Sequence, residues 1–165
     1  MNAIVEAARK LETANARLGE YPSARGADAV DIPRIKEAFV DLGFPLPSGL
    51  LDVYKVTMGI PGYLNDAPLL AAPFDFMEDT VLCRIGILED LHDFTDLREV
   101  IIIGYGNRGE LIIDRDGQCG VDLIIPDTGP VRELANPSDF ETAFRIFAER
   151  HIRELEEAAA DDRGD

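Results

Sequence analysis

Three glycines, Gly104, Gly106 and Gly109, form the spacing G-x-G-x-x-G directly after the apolar run Val100–Ile103. In dinucleotide-binding proteins such glycines let the backbone approach a pyrophosphate, which lies against the amide-rich start of a helix. Here Glu110–Asp114 reads as another strand and a turn follows at once, so no helix fits. The acidic ribose ligand expected about twenty residues further on would fall in or just beyond the third predicted strand. The pattern therefore predicts a link between strands rather than a nucleotide site.

The two histidines and two cysteines are the side chains most suited to binding zinc or to nucleophile–base chemistry. Cys83 and Cys119 form no C-x-x-C pair, and together with His92 they lack the paired spacing of a zinc site. His151 falls on the apolar stripe of a C-terminal helix, where a packed histidine is expected rather than a ligand or a base. His92 flanks an acidic helix face and is expected to be an exposed bystander. The sequence therefore predicts no metal site and no cofactor.

The 32 carboxylates are too numerous for sequence to select a catalytic pair among them. Asp114-x-Asp116-Gly117 is similar to the start of a calcium loop, but the later ligands and the closing glutamate are absent, which favours a turn capped by aspartate. No G-x-S-x-G, H-E-x-x-H or Ser/His/Asp set is present. We therefore do not expect an enzyme, although an unrecognised small hydrolase or ligand-binding enzyme stays open as a third hypothesis.

Short apolar runs rich in β-branched residues predict the strands that would position these groups. Three of them are Val100–Ile103, Leu111–Ile113 and Val121–Ile125. The links Gly104–Gly109 and Arg115–Gly120 are too short for a crossover helix, so neighbouring strands must run antiparallel. Asp116-Gly117 predicts a tight turn in the second link, because glycine adopts positive φ without steric cost. We expect a three-stranded antiparallel meander with flanking strands at Val81–Ile87 and Val131–Leu134.

Apolar residues at helical spacing predict five helices, over residues 2–18, 31–42, 48–58, 88–97 and 138–155. Their expected N-caps include Asp31, Ser48 and Ser138, the last in a capping box with Glu141. The segment EYPSARGADAV after the first helix reads as a linker, so that helix is either a semi-independent arm or part of the core. The predicted organisation is an N-terminal helix and linker over residues 1–30, an α+β domain over 31–156 and a disordered acidic tail over 157–165.

The net charge indicates which classes of partner the chain would attract and which it would repel. The chain of 165 residues carries a net charge of −16 and should be repelled by nucleic acid and by anionic membranes. A cationic protein would be attracted to it, while plain solubility is the alternative explanation. The N-terminus lacks the cationic and apolar segments of a signal peptide, and no apolar run reaches the roughly 20 residues of a membrane span. We therefore expect a soluble, cytoplasmic protein.

The order of these elements resembles the SUKH superfamily, which includes the yeast cell-wall-assembly regulator and many bacterial immunity proteins. The resemblance covers roughly residues 31–155 in order. The matching motifs are Leu46-Pro47 before the second helix of the pair, Met58-Gly59 at its end, Ile103-Gly104 with Gly109–Asp114 as the turn-and-strand segment, and Leu134–Phe140 leading to Phe144 as the closing strand-to-helix passage. The resemblance implies an α+β fold in which an antiparallel sheet, the meander plus flanking strands, packs with several helices.

The resemblance also implies a non-catalytic binding module that, in bacteria, typically neutralises a cognate toxin, often a nuclease, by occluding it. The acidic charge suits that expectation, because the groove of a nuclease must be basic to hold phosphates. The acidic residues of a helix face are usually only solvated. The alternative hypothesis is that they contact a partner. The candidate contact residues are Glu89, Asp90, Asp93 and Asp96 on one helix face and Glu110, Asp114 and Asp116 at the turns. A SUKH-like adaptor without a toxin partner is the second hypothesis.

Overall fold

The computed structural model describes residues 2–18, 23–62, 69–70, 100–105, 108–121, 123–124, 133–134 and 136–163. Within these ranges the helices are α1 (Ala3–Ala16), α2 (Asp31–Leu42), α3 (Leu50–Val56) and α4 (Phe140–Arg163). The strands are β1 (Val100–Gly104), β2 (Leu111–Asp114), β3 (Cys119–Gly120), β4 (Leu123–Ile124) and β5 (Glu133–Leu134). The predicted α+β class is confirmed. The strand predicted over 81–87 and the helix predicted over 88–97 lie outside the described residues.

The sheet β1-β2-β3 is antiparallel throughout, with Ile101 opposite Ile113 and Ile113 opposite Cys119. The meander is therefore confirmed, but the prediction that its third strand covers 121–125 is wrong. The third strand is β3, and β4 instead pairs with β5 in a separate two-stranded sheet. If the pairing of β2 and β3 continued in the same register, Leu123 would lie opposite Gly109. The backbone at Gly109 has φ +126° and is not extended. The chain therefore changes sheets after Gly120.

The core lies between one face of this sheet and helix α4, with helix α1 on the far side of α4. Side chains alternate along β1, so that Ile101 and Ile103 join the main core while Ile102 joins a second cluster on the other face. The main core also contains the two largest side chains of α4 that are fully buried, Phe144 and Phe147. These contacts fix α4 against the sheet and make it the central element of the fold.

Helix α1 belongs to this core, which decides between the two alternatives for the N-terminal helix. Its apolar stripe is fully buried at Ile4 and Leu11, and both side chains join the main cluster. The side chains of Ile4 and Phe140 lie together beside Gly49, so α1 and α4 start at the same end of the molecule. The two helices therefore run side by side in the same direction.

The segment predicted as a linker before α2 forms neither helix nor strand over residues 23–28, and residues 24–28 are tied to the end of α3. Ala24 N–H donates to Gly59 O at 2.9 Å, and Met58 N–H donates to Arg25 O at 3.0 Å. A Cβ at Gly26 would lie 2.0 Å from the carbonyl oxygen of Lys55, so only glycine fits this close approach. At the other end of the chain, α4 continues to residue 163, so the disordered tail predicted from 157 is wrong over 157–163.

The side chain that caps the start of helix α2 belongs to Asp28, three residues before the helix begins. Asp28 Oδ1 accepts the N–H groups of Val30 and Asp31 at 2.8 and 3.1 Å, so Asp31 is the first helical residue and its prediction as N-cap is wrong. Asp31 Oδ2 accepts from Asp28 N–H at 3.0 Å and from the Arg25 guanidinium at 2.8 Å. These two hydrogen bonds, the backbone one first, lower the pKa of Asp31. Hydrogen bonds thus link Arg25, Asp28 and Asp31 before and at the start of α2.

The other two predicted caps are displaced by one residue. Helix α3 is preceded by Gly49 at φ +95° and makes no side-chain cap, so Ser48 is not its N-cap. At α4, Asp139 Oδ1 accepts the N–H of Thr142 at 2.8 Å, which replaces the predicted Ser138 cap. Hydrogen bonds from the Thr142 side chain and then its backbone lower the pKa of Asp139. The backbone of Ser138 is committed elsewhere, because it exchanges two hydrogen bonds with Cys119 of β3.

Candidate protein-binding surface

The structure describes three of the seven predicted partner-contact residues, and these three lie at two ends of one strand. Glu89, Asp90, Asp93 and Asp96 lie outside the described residues. Glu110 lies just before β2, where its N–H donates to Val121 O at 3.0 Å, whereas Asp114 and Asp116 lie at the other end of that strand. At about 3.3 Å per strand residue, Glu110 and Asp114 are roughly 13 Å apart. Glu110 and the turn that carries Asp116 therefore lie at opposite ends of β2.

Asp114 holds the β2–β3 turn together. Its Oδ1 accepts the N–H groups of Asp116 and Gln118 at 2.9 and 2.8 Å, and its own backbone N–H donates to Gln118 O at 2.9 Å. Gly117 adopts φ +83°, as the predicted Asp-Gly turn requires. The capped turn predicted in place of a calcium loop is confirmed. Asp114 is thus committed to the turn, and Asp116 is the exposed carboxylate that the turn presents.

This turn packs on the link between α2 and α3. The Arg115 guanidinium lies over the Phe44 ring at 5.0 Å from its centroid, a cation–π contact. Gly117 lies against Pro45, since a Cβ at Gly117 would come within 3.1 Å of Pro45 Cγ. The turn is therefore held by its own hydrogen bonds and by a neighbouring element, and it is preorganised for contact with a partner.

Helix α2 exposes two valines on the face that points away from the core. Ile35 and Phe39 are buried, while Val30 and Val40 are 70% and 76% exposed. Val40 lies one turn before Gly43, which ends the helix at φ +73° and donates to Val40 O. Sequence reasoning identified only the buried stripe of this helix and missed the exposed valines. The sequence did carry a signal for them: both valines lie off the buried stripe, at positions where a polar residue would serve solubility equally well.

We define the α2–turn surface as Val40, Asp41, Pro45 and Asp116, all of which are exposed. Val40 and Asp41 are neighbours at the end of α2, and the contact of Pro45 with Gly117 joins the following link to the turn that carries Asp116. The exposed guanidinium of Arg115 lies between the two segments, over Phe44 and 3.5 Å from the position of a Cβ at Gly43. Exposed apolar side chains among charged groups are common in protein interfaces. Such a surface suits a partner whose apolar patch is bordered by lysine or arginine.

The thiol of Cys119 is buried and chemically quiet. It lies 3.7 Å from Gly117 O in β3, at the base of the β2–β3 turn. Burial, followed by the nearby carboxylates of Asp114 and Asp139, raises the pKa of Cys119 to about 12. The thiolate that nucleophilic or metal chemistry requires is therefore disfavoured at neutral pH. Cys83 and His92, the other members of the rejected zinc set, lie outside the described residues.

His151 is a packed residue of the core, as the sequence predicts. It is 2% exposed, and its ring centroid lies 4.2 Å from that of Phe147. Nδ1 lies 2.8 Å from Phe147 O, and because a carbonyl only accepts, Nδ1 carries the proton. Burial lowers the pKa of His151, so the imidazole is neutral at pH 7. In the part of the chain that the structure describes, no three His, Cys, Asp or Glu side chains converge on a metal position.

The two described ends of the glycine-rich link, Gly104 and Arg108, both contact helix α4. Strand β2 begins at Leu111, two residues after Gly109, so the expected absence of a helix at this point is confirmed. A Cβ at Gly104 would lie 2.7 Å from Phe147 Cζ and 2.8 Å from Leu69 O. Gly104 therefore lets β1 approach α4 closely. Further along, the Arg108 guanidinium pairs with the Glu157 carboxylate and fastens the link to the same helix.

Comparison with known proteins adds no relative to this description. No protein-family model matches the chain, and neither a curated protein nor a solved structure matches it. The SUKH resemblance accordingly stays a prediction from the motifs. Among the described helices, none combines the length and the apolar character needed to cross a bilayer.

Proposed function

We propose that this chain is an immunity-type binding protein that neutralises a cationic toxin domain, such as a nuclease, by stoichiometric occlusion of its active site. The observation that carries the proposal is the α2–turn surface, where Val40, Asp41, Pro45 and Asp116 are all exposed and the turn is held against the link after α2 through Pro45 and Phe44. The net charge of −16 and the motifs that resemble the SUKH superfamily support the same function.

Charge and shape would contribute to binding in different ways. The negative field of the whole chain steers a basic partner towards it and raises the association rate, an effect that salt screens. The apolar side chains contribute affinity once they are desolvated in the centre of the contact. Because Asp114 and Phe44 already hold the turn in place, little ordering of the turn backbone is needed on binding.

The competing hypotheses differ in what they require of the partner or of the site. A SUKH-like adaptor would use the same surface for a protein that is not a toxin, so the identity of the partner distinguishes the two. A small hydrolase would require a pocket in which His92 and carboxylates converge, and His92 lies outside the described residues. Neither hypothesis accounts for the α2–turn surface better than toxin binding does.

The decisive experiment uses the toxin domain encoded beside this chain. We expect the two purified proteins to form a one-to-one complex in size-exclusion chromatography with light scattering, and toxin activity to disappear at equimolar inhibitor. In cells, co-expression should restore growth. The proposal is wrong if no complex forms and the chain gives no protection.

Two variants test whether the α2–turn surface makes the contact. Val40→Ser should weaken binding about tenfold, because burying an exposed valine contributes about 1.5 kcal/mol. Val30→Ser is the matched control: it changes a similarly exposed valine at the N-cap of α2, about 15 Å from Val40 along the axis, and should leave the affinity unchanged. Asp116→Asn should slow association and reduce its salt dependence. Equal losses for the two valine variants would exclude this surface while leaving toxin binding itself intact.

A further inference from the structure

A second candidate binding feature is a groove between helices α1 and α4. A groove of about 400 Å³ runs between them, and a smaller cavity of about 130 Å³ continues it towards their C-terminal ends. The apolar residues of the main groove are Ala14, which is nearly buried, and the partly buried Ile152, while Leu155 and Ala159 line the smaller cavity. Charged side chains form both edges. The groove shares no residue with the α2–turn surface.

The α1 edge of this groove is cationic in a chain that is strongly anionic overall. Arg9, Lys10 and Arg17 line it, together with Glu6 and Thr13. Lys10 is paired with Glu6 at 3.1 Å, whereas neither arginine makes an ion pair with a described residue. Arg9 and Arg17 lie two helical turns apart, about 12 Å, on the same edge of α1. Two arginines are thus available to bind anionic groups.

The α4 edge carries the opposite charge. Glu156 lines both the main groove and its extension, facing Arg17, which also lines both. An occupant with carboxylates all around would be repelled at Glu156, but one with carboxylates on a single side can bind with that side along α1. The charge pattern therefore selects an occupant with an apolar face and one acidic flank.

We propose that the α1–α4 groove binds an amphipathic acidic helix of another protein. Residues 6–17 of α1 line about 16 Å of groove, which is the length of three helical turns. Apolar side chains of the incoming helix would lie on Ala14, Ile152 and Leu155, and its acidic flank would pair with Arg9 and Arg17. The groove is open to solvent along its length, whereas a small-molecule site encloses most of its ligand. A helix laid in a groove fits this shape.

This inference does not depend on toxin binding, and its test uses a defined probe on the full chain. The probe is a labelled synthetic helix of about 16 residues, with leucine at every third or fourth position and glutamate along one flank. A second peptide carries glutamine in place of glutamate. We expect saturable binding of the acidic peptide by fluorescence anisotropy, at least threefold weaker binding of the glutamine peptide, and NMR shift changes at residues 6–17 and 152–159.

Charge variants at the two edges should change the affinity in opposite directions. Arg17→Gln should weaken binding of the acidic peptide about threefold and the Arg9→Gln/Arg17→Gln double variant about tenfold, while Glu156→Gln should strengthen it about twofold. Arg145→Gln, an exposed residue of α4 outside the groove, is the control and should change nothing. The inference is overturned if the acidic peptide does not bind, if both peptides bind equally, or if the NMR changes map to α2 and the turn.

Discussion

The hydrogen bonds of Asp114 make the β2–β3 turn the most direct place to test the structure. Replacing Asp114 with alanine removes the Oδ1 atom that accepts the N–H groups of Asp116 and Gln118. The backbone bonds between Asp114 and Gln118 and between Gly117 and Asp114 remain possible in the variant. The substitution therefore isolates the contribution of the side chain to the turn.

The size of the effect follows from the number and kind of these bonds. A hydrogen bond to a charged acceptor contributes about 1.5 kcal/mol or more when it is shielded, and less when it is near water. Asp114 is half-buried, so two bonds should contribute about 2 kcal/mol to the free energy of unfolding. For a chain of this size that corresponds to a fall in Tm of roughly 4–8 °C. Asp114→Asn keeps an acceptor oxygen and should lose about half as much.

The assay is thermal and urea unfolding followed by circular dichroism, with Asp116→Ala as the control in the same turn. Asp116 is exposed and its side chain accepts none of the turn's hydrogen bonds described above, so its removal should change Tm little. Equal stability of Asp114→Ala and the parent chain would refute the assignment of Asp114 as the group that holds the turn. Equal destabilisation by Asp116→Ala would refute the assignment of Asp116 as the exposed residue.

Two further predictions concern helix α4. Gly104→Ala should lower the free energy of unfolding by about 1–3 kcal/mol, because its Cβ would overlap Phe147 Cζ and Leu69 O; an unchanged urea midpoint would contradict that packing. The folded-state pKa of His151 lies below its ordinary value of about 6.5, so the unfolded chain binds more protons in that range and stability should fall as pH drops below about 6.5. His151→Leu should reduce the difference in Tm between pH 7.5 and pH 5.5, and an identical difference in both proteins would exclude His151 as its source.

Local patterns in the sequence predict much of the fold. The β-branched runs predict β1 and β2 because strand formation depends on residues that are close in the chain, and Asp116-Gly117 predicts the turn because Gly117 needs positive φ. The same reasoning places α1, α2, α3 and the start of α4 within two residues, and it predicts that His151 packs in the core. These features depend on periodicity and on the conformational preferences of single residues.

The features that sequence reasoning missed depend on contacts between distant segments. The departure of β4 from the meander depends on its pairing with β5, a partner that no local pattern reveals. The ordering of residues 24–28 depends on Gly26 meeting the carbonyl of Lys55. The functional surface was missed in part for the same reason, because the exposure of Val40 becomes evident only when the buried face of α2 is known.

The side-by-side packing of α1 and α4 has a consequence for how the protein is made. Residues 17–139 separate the two helices, so helix α1 is synthesised well before the helix that packs against its apolar stripe. Until α4 emerges, Ile4 and Leu11 lack their final neighbours, and a helix of this length is only marginally stable alone. The nascent chain therefore exposes an apolar segment until α4 has been made, which favours chaperone capture.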